Sequence, residues 1–585
     1  MKKTHLLLLV CMLLMFAPGG EVNGKQPSAA VGGTAAIDCA DLAAAFNYQN
    51  TTLGSVTLAP EGSVVVTGIG PMPEHCIVKG KMNERVSPVD GKTYAIGFEM
   101  RLPTDWNGRF FYQGNGGTDG VVSAAYGGIL GGGATSNGLL KGFAVISSDA
   151  GHTLNMSDPI SGGVFGIDPQ ARLDYGYNTV AQLTPMAKNL IETYYGKLPD
   201  KSYIVGSSNG GRHAMVAASR YAKDYDGFLA GAPGFNLPKA AVAQLWGVQQ
   251  YAPISDVISG RPDVSTSFLP ADTALVSDKI LAKCDSLDGV PDYMVGDPLA
   301  CQSVFDIDLD VPTCTGGAET HDGTCLSLRQ KSVLSSVHAG AKNSKGKALY
   351  TNFLWDPGIR SSGWRTWKFS NSTGPRDPVA VGFIFTTPPQ DPLVLDGTGT
   401  TLLDYALNWP GAAAGFDVDR DAPKIYATNS TYRESAMSFM TPPDLDMKQL
   451  WAKGGKLIVV QGAADPVFSV ADTVKWYEAL SDRYKKRTTD FARLFIVPGM
   501  SHSNNGPACD QFDLVDALVK WVEEGIAPDA ITAKARGTGA NVVNTEVPAT
   551  WAPNRTRPLC TYPTVPKYNG TGNIENAENF SCVVP

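Results

Sequence analysis

Two glycines bracket a serine at Gly206-Ser207-Ser208-Asn209-Gly210, a G-x-S-x-G pattern. A serine hydroxyl is a poor nucleophile until a base takes its proton and a third group orients that base. The chemistry needs a strand–turn–helix setting whose turn is too sharp for side chains at its flanks, so that Ser208 is left exposed above the sheet edge. That setting is present. The apolar run Tyr203-Ile204-Val205 leads into the turn, and Met215, Val216, Ala218 and Ser219 follow it at helical spacing. Taken alone, the pentapeptide also reads as an ordinary Gly/Ser-rich turn.

The partners of such a serine follow in the order Ser…Asp…His, on loops after later strands. The chain has seven histidines, which allows elimination. His5 lies in an apolar leader, His75 adjoins Cys76, His213 lies just past the serine, and His321 and His338 lie mid-chain. His152 precedes the serine and reads as tying a loop to the core. His502, in VPGMSHSNNG, has the right order and setting for the base. Asp465, in QGAADPVF, lies directly beyond the strand-like run Lys456–Val460 and is the candidate acid. Asp472 is further along, where it reads as a helix cap or a solvent-facing residue. Asp465 could also be a turn residue before Pro466, and His502 a surface histidine. Three such residues in this order at three strand ends favour catalysis.

An acyl-transfer intermediate needs two N–H donors for its oxyanion. Asn209, next to the nucleophile, supplies one. The other comes from Gly114-Asn115-Gly116-Gly117, with Gly116 favoured and Gly117 the alternative. Neither a Walker lysine nor G-x-G-x-x-G spacing accompanies this loop, so it is not read as a phosphate cradle. A second cluster, CDSLDGVPDYM, places Asp285, Asp288 and Asp292 around a glycine turn. Carboxylates this close repel unless a hard cation such as calcium neutralises them. A solvated acidic loop is the competing reading.

The elements that must position these residues are strand–helix alternations. AIGFEMRLP, RFFYQGNGG and GFAVISSDAGH read as successive strands from about Thr93. Tyr175–Tyr195 reads as a long amphipathic helix kinked or broken at Pro185. GFLAGAPG follows as another buried strand, and the alternation resumes after about residue 445 with Lys456–Val460 and FARLFIV. Helical segments follow at Val470–Leu480 and Phe512–Glu524. This pattern implies a parallel sheet covered by helices on both faces. It divides the chain into a leader at 1–24, a first core segment at 25–234, an insert at 235–445 and a second core segment at 446–585.

The net charge of −8 provides no basic footprint for nucleic acid. Lys2, Lys3 and the apolar run Leu6–Ala17 read as a signal peptide cut near Gly24, with Cys11 discarded inside it. No later stretch is apolar enough to span a bilayer, so the expected product is exported, secreted or periplasmic, and free of the membrane. Disulfides are then the default for cysteines. Neighbour pairing is the simplest choice: Cys39 with Cys76, Cys284 with Cys301, Cys314 with Cys325 and Cys560 with Cys582. Cys509 is left as a buried free thiol.

In WNGRFFYQGNGG, the elbow, YDGFLAGAPGFNLPK, CDSLDGVPD, ESAMSFMTPPD, GGKLIVVQGAADPVFS and FARLFIVPGMSH the chain resembles the tannase and feruloyl esterase family, which includes mono(2-hydroxyethyl) terephthalate hydrolases. The resemblance implies an α/β-hydrolase fold with a large inserted lid domain, and a secreted serine esterase acting on aromatic carboxylic esters. It implies Ser208 as nucleophile, His502 as base and Asp465 as acid. It also implies a structural calcium on the side chains of Asp285, Asp288 and Asp292 and the carbonyls of Val290 and Met294. The four cysteine couples agree with it. Phe468, Leu237 and Ala240 match positions lining the acyl pocket. Trp364 and Trp367 are further lid candidates, and Arg360, Arg365 and Arg376 compete as the cation for a free substrate carboxylate.

One departure stands out. The family pattern carries a disulfide between the residue before the nucleophile and the residue after the histidine. Here those positions are Ser207 and Ser503. A staple of this kind contributes about 2–4 kcal/mol. A Ser207–Ser503 hydrogen bond in its place would contribute about 1 kcal/mol, leaving a more mobile His502 loop. The competing functional classes are a catalytically silent binding protein on the same fold, supported by this departure, and a serine hydrolase of another class, a peptidase or a lipase.

Overall fold

The computed structural model describes residues 27–317, 319–443 and 445–585. The leader expected at 1–24 lies outside the described residues. A nine-stranded sheet carries the molecule. In chain order its strands are β1 (Thr51–Ala59), β2 (His75–Val86), β3 (Thr93–Pro103), β4 (Arg109–Gly114), β5 (Ala144–Ser148), β6 (Lys201–Ser207), β7 (Gly227–Gly231), β8 (Lys456–Gly462) and β9 (Ala492–Val497). Across the sheet they run β9-β8-β7-β6-β4-β5-β3-β2-β1. Neighbours from β5 to β9 pair in parallel, whereas β5–β3, β3–β2 and β2–β1 are antiparallel.

Both faces of the parallel part are covered, so β6 is apolar on both sides rather than alternating. Its side chains still split by the two-residue period. Ile204 packs with α1 (Thr179–Tyr195), α2 (Asn209–Arg220) and α5 (Val470–Tyr484), through residues such as Leu183, Met215 and Leu480. Tyr203 and Val205 face the opposite layer, where α6 (Leu514–Glu524) contributes Leu514, Leu518 and Trp521. This is the three-layer α/β-hydrolase architecture.

Between β7 and β8 the chain adds no strand to the sheet. It forms α3 (Leu237–Tyr251), α4 (Pro270–Cys284) and a series of short helices around a separate apolar core containing Tyr251, Trp364, Phe383 and Phe439. A small cluster of Ala240, Tyr350, Phe353, Val467 and Phe468 joins α3 to the loop after β8.

One expectation is corrected. Pro185 does not divide its helix, because α1 is continuous from Thr179 to Tyr195. The irregularity precedes it, as a π-helical turn over Asp174–Asn178. All four cysteine couples are disulfides. Cys509 is free and buried, its thiol pushed up to about 12 by burial. Among the described residues no helix is long and apolar enough to cross a membrane.

Candidate active site

The elbow is built by backbone packing. Ser208 has φ +62°, a left-handed value that side-chain-bearing residues rarely adopt. Its N–H donates to Gly231 O at 2.9 Å, and its carbonyl accepts from Arg212 N at 3.1 Å. A Cβ on Gly206 would sit 2.5 Å from the carbonyl carbon of Gly210, and one on Gly210 would collide with the carbonyl of Gly114. These two glycines therefore let β6, α2 and the loop after β4 meet backbone to backbone.

Ser208, His502 and Asp465 come together although far apart in sequence. Ser208 Oγ is 2.9 Å from His502 Nε2, and His502 Nδ1 is 2.9 Å from Asp465 Oδ2. Each side chain sits just beyond the C-terminal end of a parallel strand: Ser208 after β6, Asp465 after β8 and His502 after β9. Asp465 is fully buried, and its other contacts fix its orientation. Oδ1 accepts the N–H groups of Val467 (2.8 Å) and Phe468 (3.1 Å), while Oδ2 also accepts Gln461 Nε2 at 2.7 Å. With Nδ1–H donated to the carboxylate, Nε2 is free to take the serine proton. Asp472 plays no part in this relay. It is half-buried in the first turn of α5, makes no hydrogen bond to the histidine, and accepts from Asn236 Nδ2 at 2.9 Å.

Gly116 lies beside the nucleophile, with Ser208 Cβ 3.8 Å from where its own Cβ would be, whereas Gly117 has nothing within 4 Å. Among the described residues the N–H groups of Gly116 and Asn209 have no protein acceptor. Both remain available to an oxyanion. His152 packs on Phe165 with ring centroids 3.6 Å apart, and burial lowers it to about 4. It ties a loop to the core, as its position suggested.

The aromatic candidates separate. Trp367 and Phe468 meet His502 edge-on, at 5.0 and 5.4 Å between ring centroids. Leu237 and Trp367 pack against the cluster containing Ala240 and Phe468. Trp364 instead is buried against Phe369 in the core of the intervening segment. The arginines separate too. Arg360 pairs with Asp278 at 3.0 Å and Arg365 donates to Ser265 O at 3.0 Å. Arg376 lies over the Trp367 ring at 4.3 Å, with the charge of neighbouring Asp377 acting on it but no ion pair formed among the described residues. Burial lowers its pKa.

The Ser207–Ser503 hydrogen bond is present at 2.8 Å. The His502 loop has further anchors that no local sequence signal announced. Ser501 N donates to Asn505 O at 3.1 Å, and Asn505 N to Asp510 Oδ2 at 2.8 Å. Asp510 is held by Arg536 at 2.6 Å. Glu546 accepts from Gly506 N (2.7 Å), Ser361 Oγ (2.9 Å) and Ser362 N (2.7 Å), so it joins this loop to the intervening segment. Burial alone would raise the Glu546 carboxyl, but these donors outweigh it and pull the pKa below its ordinary value.

In the acidic turn, Asp285 accepts the N–H groups of Asp292 (3.0 Å), Tyr293 (2.9 Å) and Met294 (3.2 Å). Asp288 and Asp292 are buried. Burial and the charges of Asp292 and Asp285 push Asp288 up to about 7. Arg557, from a C-terminal strand, pairs with Asp292. Among the described residues no three His, Cys, Asp or Glu side chains converge as a metal-binding group. A cation here would also need main-chain carbonyls. The donor set is all oxygen and leaves Asp288 without a cationic side chain bonded to it, which suits a hard cation.

A family model described as "Tannase and feruloyl esterase" matches residues 76–583. The chain is 39% identical over 542 residues to a mono(2-hydroxyethyl) terephthalate hydrolase of Piscinibacter sakaiensis, covering 88% of this chain and 85% of that one. It is 25% identical over 582 residues to a probable feruloyl esterase B-2 of Neosartorya fischeri, covering 93% and 95%. Among solved structures, feruloyl esterase B from Aspergillus oryzae superposes with a TM-score of 0.71 at 24% identity, over 93% of this chain and 99% of that one. Tannin acyl hydrolase from Aspergillus niger gives 0.64 at 21% identity, over 93% and 94%. These two show the shared fold.

Proposed function

The chain belongs to the tannase and feruloyl esterase family, and we propose that it is an exported serine esterase that hydrolyses esters of aromatic carboxylic acids through an acyl-Ser208 intermediate. The observation that carries this reading is the relay of two 2.9 Å contacts from Ser208 through His502 to Asp465. His502 takes the proton as Ser208 Oγ attacks the ester carbonyl, and Asp465 stabilises the imidazolium that results. The N–H groups of Gly116 and Asn209 bind the oxyanion. Collapse expels the alcohol, which His502 protonates, and water then repeats the cycle to release the acid. The complete relay argues against a silent binding protein.

The intervening segment acts as a lid. Trp367 and Phe468 flank His502, and with Leu237 and Ala240 they supply an apolar wall for an aromatic acyl group. Arg376 makes no ion pair among the described residues and lies over Trp367 beside His502, which favours an acyl group bearing a free carboxylate, as in a terephthalate monoester, over gallates and hydroxycinnamates. Ser208→Ala is expected to lower hydrolysis of a panel of these esters at least about 10³-fold with Tm unchanged. Full activity in that variant overturns the proposal, and the ranking of the wild-type enzyme on the panel fixes the acyl class.

The acidic turn is proposed to hold a structural calcium through Asp285, Asp288, Asp292 and the carbonyls of Val290 and Met294. The ion would neutralise the turn and brace it against the C-terminal strand carrying Arg557. EDTA is expected to lower Tm, with recovery on adding calcium. An unchanged Tm together with no metal by elemental analysis removes the assignment.

A further inference from the structure

Behind the loop that carries Gly116 lies a buried polar network that the proton relay does not use. Asp119, at the end of that loop, turns its N–H back to Gly116 O at 3.2 Å and sends its carboxylate into the core. There Oδ2 accepts Asn209 Nδ2 at 2.7 Å and lies 2.9 Å from His213 Nε2. Asn209 and His213 are one helical turn apart on α2, the helix that begins at the nucleophile. Arg212, fully buried, donates Nε–H to Asn209 Oδ1 at 2.7 Å and fixes which way that amide points. Its other nitrogens reach the carbonyls of Gly176 (2.6 Å) and Tyr175 (2.8 Å), and Nη2 also lies 3.2 Å from His213 Nε2. The Tyr175 hydroxyl in turn donates to Gly117 O at 3.3 Å. Burial, more than the neighbouring Arg212 charge, holds His213 below its ordinary pKa, and its Nε2 faces Asp119 Oδ2.

The two oxyanion donors belong to different elements, the loop after β4 and the first residue of α2. Their separation therefore depends on whatever couples those elements. On the loop side the shortest side-chain coupling passes through one carboxylate, beside a longer Asn209 Nδ2–Asn115 O contact of 3.4 Å. Asp119 takes one bond from the residue whose own N–H is a donor, and another from the next turn of the same helix. A buried carboxylate with two donors is costly to disturb, because removing one partner leaves the rest unsatisfied.

We infer that Asp119 and His213 are positioning residues that hold the Gly116 loop at the right distance from Asn209 N–H for an oxyanion to bind both. This rests on the esterase reading. It assigns a purpose to a histidine that lies beside the nucleophile and yet does not face it.

The test compares Asp119→Ala, Asp119→Asn, His213→Ala and His213→Gln, with kcat expressed per site labelled by a fluorophosphonate probe and Tm recorded for each. Asp119→Ala and His213→Ala are expected to lower kcat about tenfold to a hundredfold, approaching the loss of one oxyanion donor, with KM within about twofold. His213→Gln, which keeps a side-chain N–H donor, is expected to regain most of that loss. Asp119→Asn, which keeps an acceptor, is expected to fall between. An unchanged kcat per labelled site in Asp119→Ala overturns the assignment, as does His213→Gln performing no better than His213→Ala. If Asp119→Ala fails to fold, the His213 pair decides. Loss of turnover in Ser208→Ala beside full kcat in Asp119→Ala refutes the positioning role alone. Turnover persisting in Ser208→Ala refutes the esterase reading beneath it.

Discussion

The elbow around Ser208 and the loop around His502 meet at two hydrogen bonds, Ser208–His502 and Ser207–Ser503, and they are built by different means. At the elbow, position is steric. Gly206, Gly210 and Gly114 bring three backbones into contact, and the geometry follows from what cannot fit between them. The histidine loop is held by side chains borrowed from elsewhere: Asp510 and Arg536, Glu546, and the single pair Ser207–Ser503. Steric closure is insensitive to pH and salt. Anchors made of carboxylates and hydroxyls are not, so the two halves of the relay should fail under different conditions.

The comparison can be broken from either side. Gly210→Ala puts a methyl group into the Gly114 carbonyl and is expected to cost about 3 kcal/mol and to abolish turnover, as read by thermal melts and ester hydrolysis. A stable, active Gly210→Ala variant would mean that the elbow yields more than backbone contact allows. Glu546→Gln, which weakens four charge-assisted hydrogen bonds, is expected to cost about 2 kcal/mol at neutral pH. The pKa of Glu546 is depressed on folding, so its contribution is present above the ordinary value of 4.5 and is lost as pH falls through the folded value. The Tm difference between wild type and Glu546→Gln should therefore shrink below about pH 4.5. A gap that does not change with pH would show that the anchor is not electrostatic. The smallest effect belongs to Ser207→Ala or Ser503→Ala, at about 1 kcal/mol. Cysteines at both positions should reverse the sign and add up to about 2–4 kcal/mol, measured by melts with and without reductant.

The same contrast explains how much could be read from the sequence. The elbow was legible because its constraints are local: glycines, a β-branched run before them and a helical period after. Asp465 and His502 were legible through order and strand ends, and the cysteine couples through proximity. Of the kink or break expected at Pro185, the break does not occur, because tertiary packing on the apolar face of α1 outweighs the local penalty. Glu546 carried no signal, since an anchor made by an acidic residue on a distant loop has no spacing to recognise, and Asp510, though on the histidine loop itself, is read only through its pairing with distant Arg536. Asp119 stood three residues beyond Gly116 and could have been noticed as an acid closing a glycine loop. His213 is excluded as the base by its place just past the serine, and the structure sets it against Asp119.

The crossover from β7 to β8 has a consequence for how this enzyme can change. In a parallel sheet that crossover is ordinarily one helix, and here it spans the residues between Gly231 and Lys456. Strand register across the join is set by Gly227 opposite Lys456, whatever lies between. The intervening chain can therefore vary in length without shifting strand register, so long as Ser361 and Ser362 still meet Glu546. Ser208 and Asp465 stand at the strand ends on either side of it. New acyl preferences can be acquired by inheritance of this one segment while the reaction machinery is passed on intact.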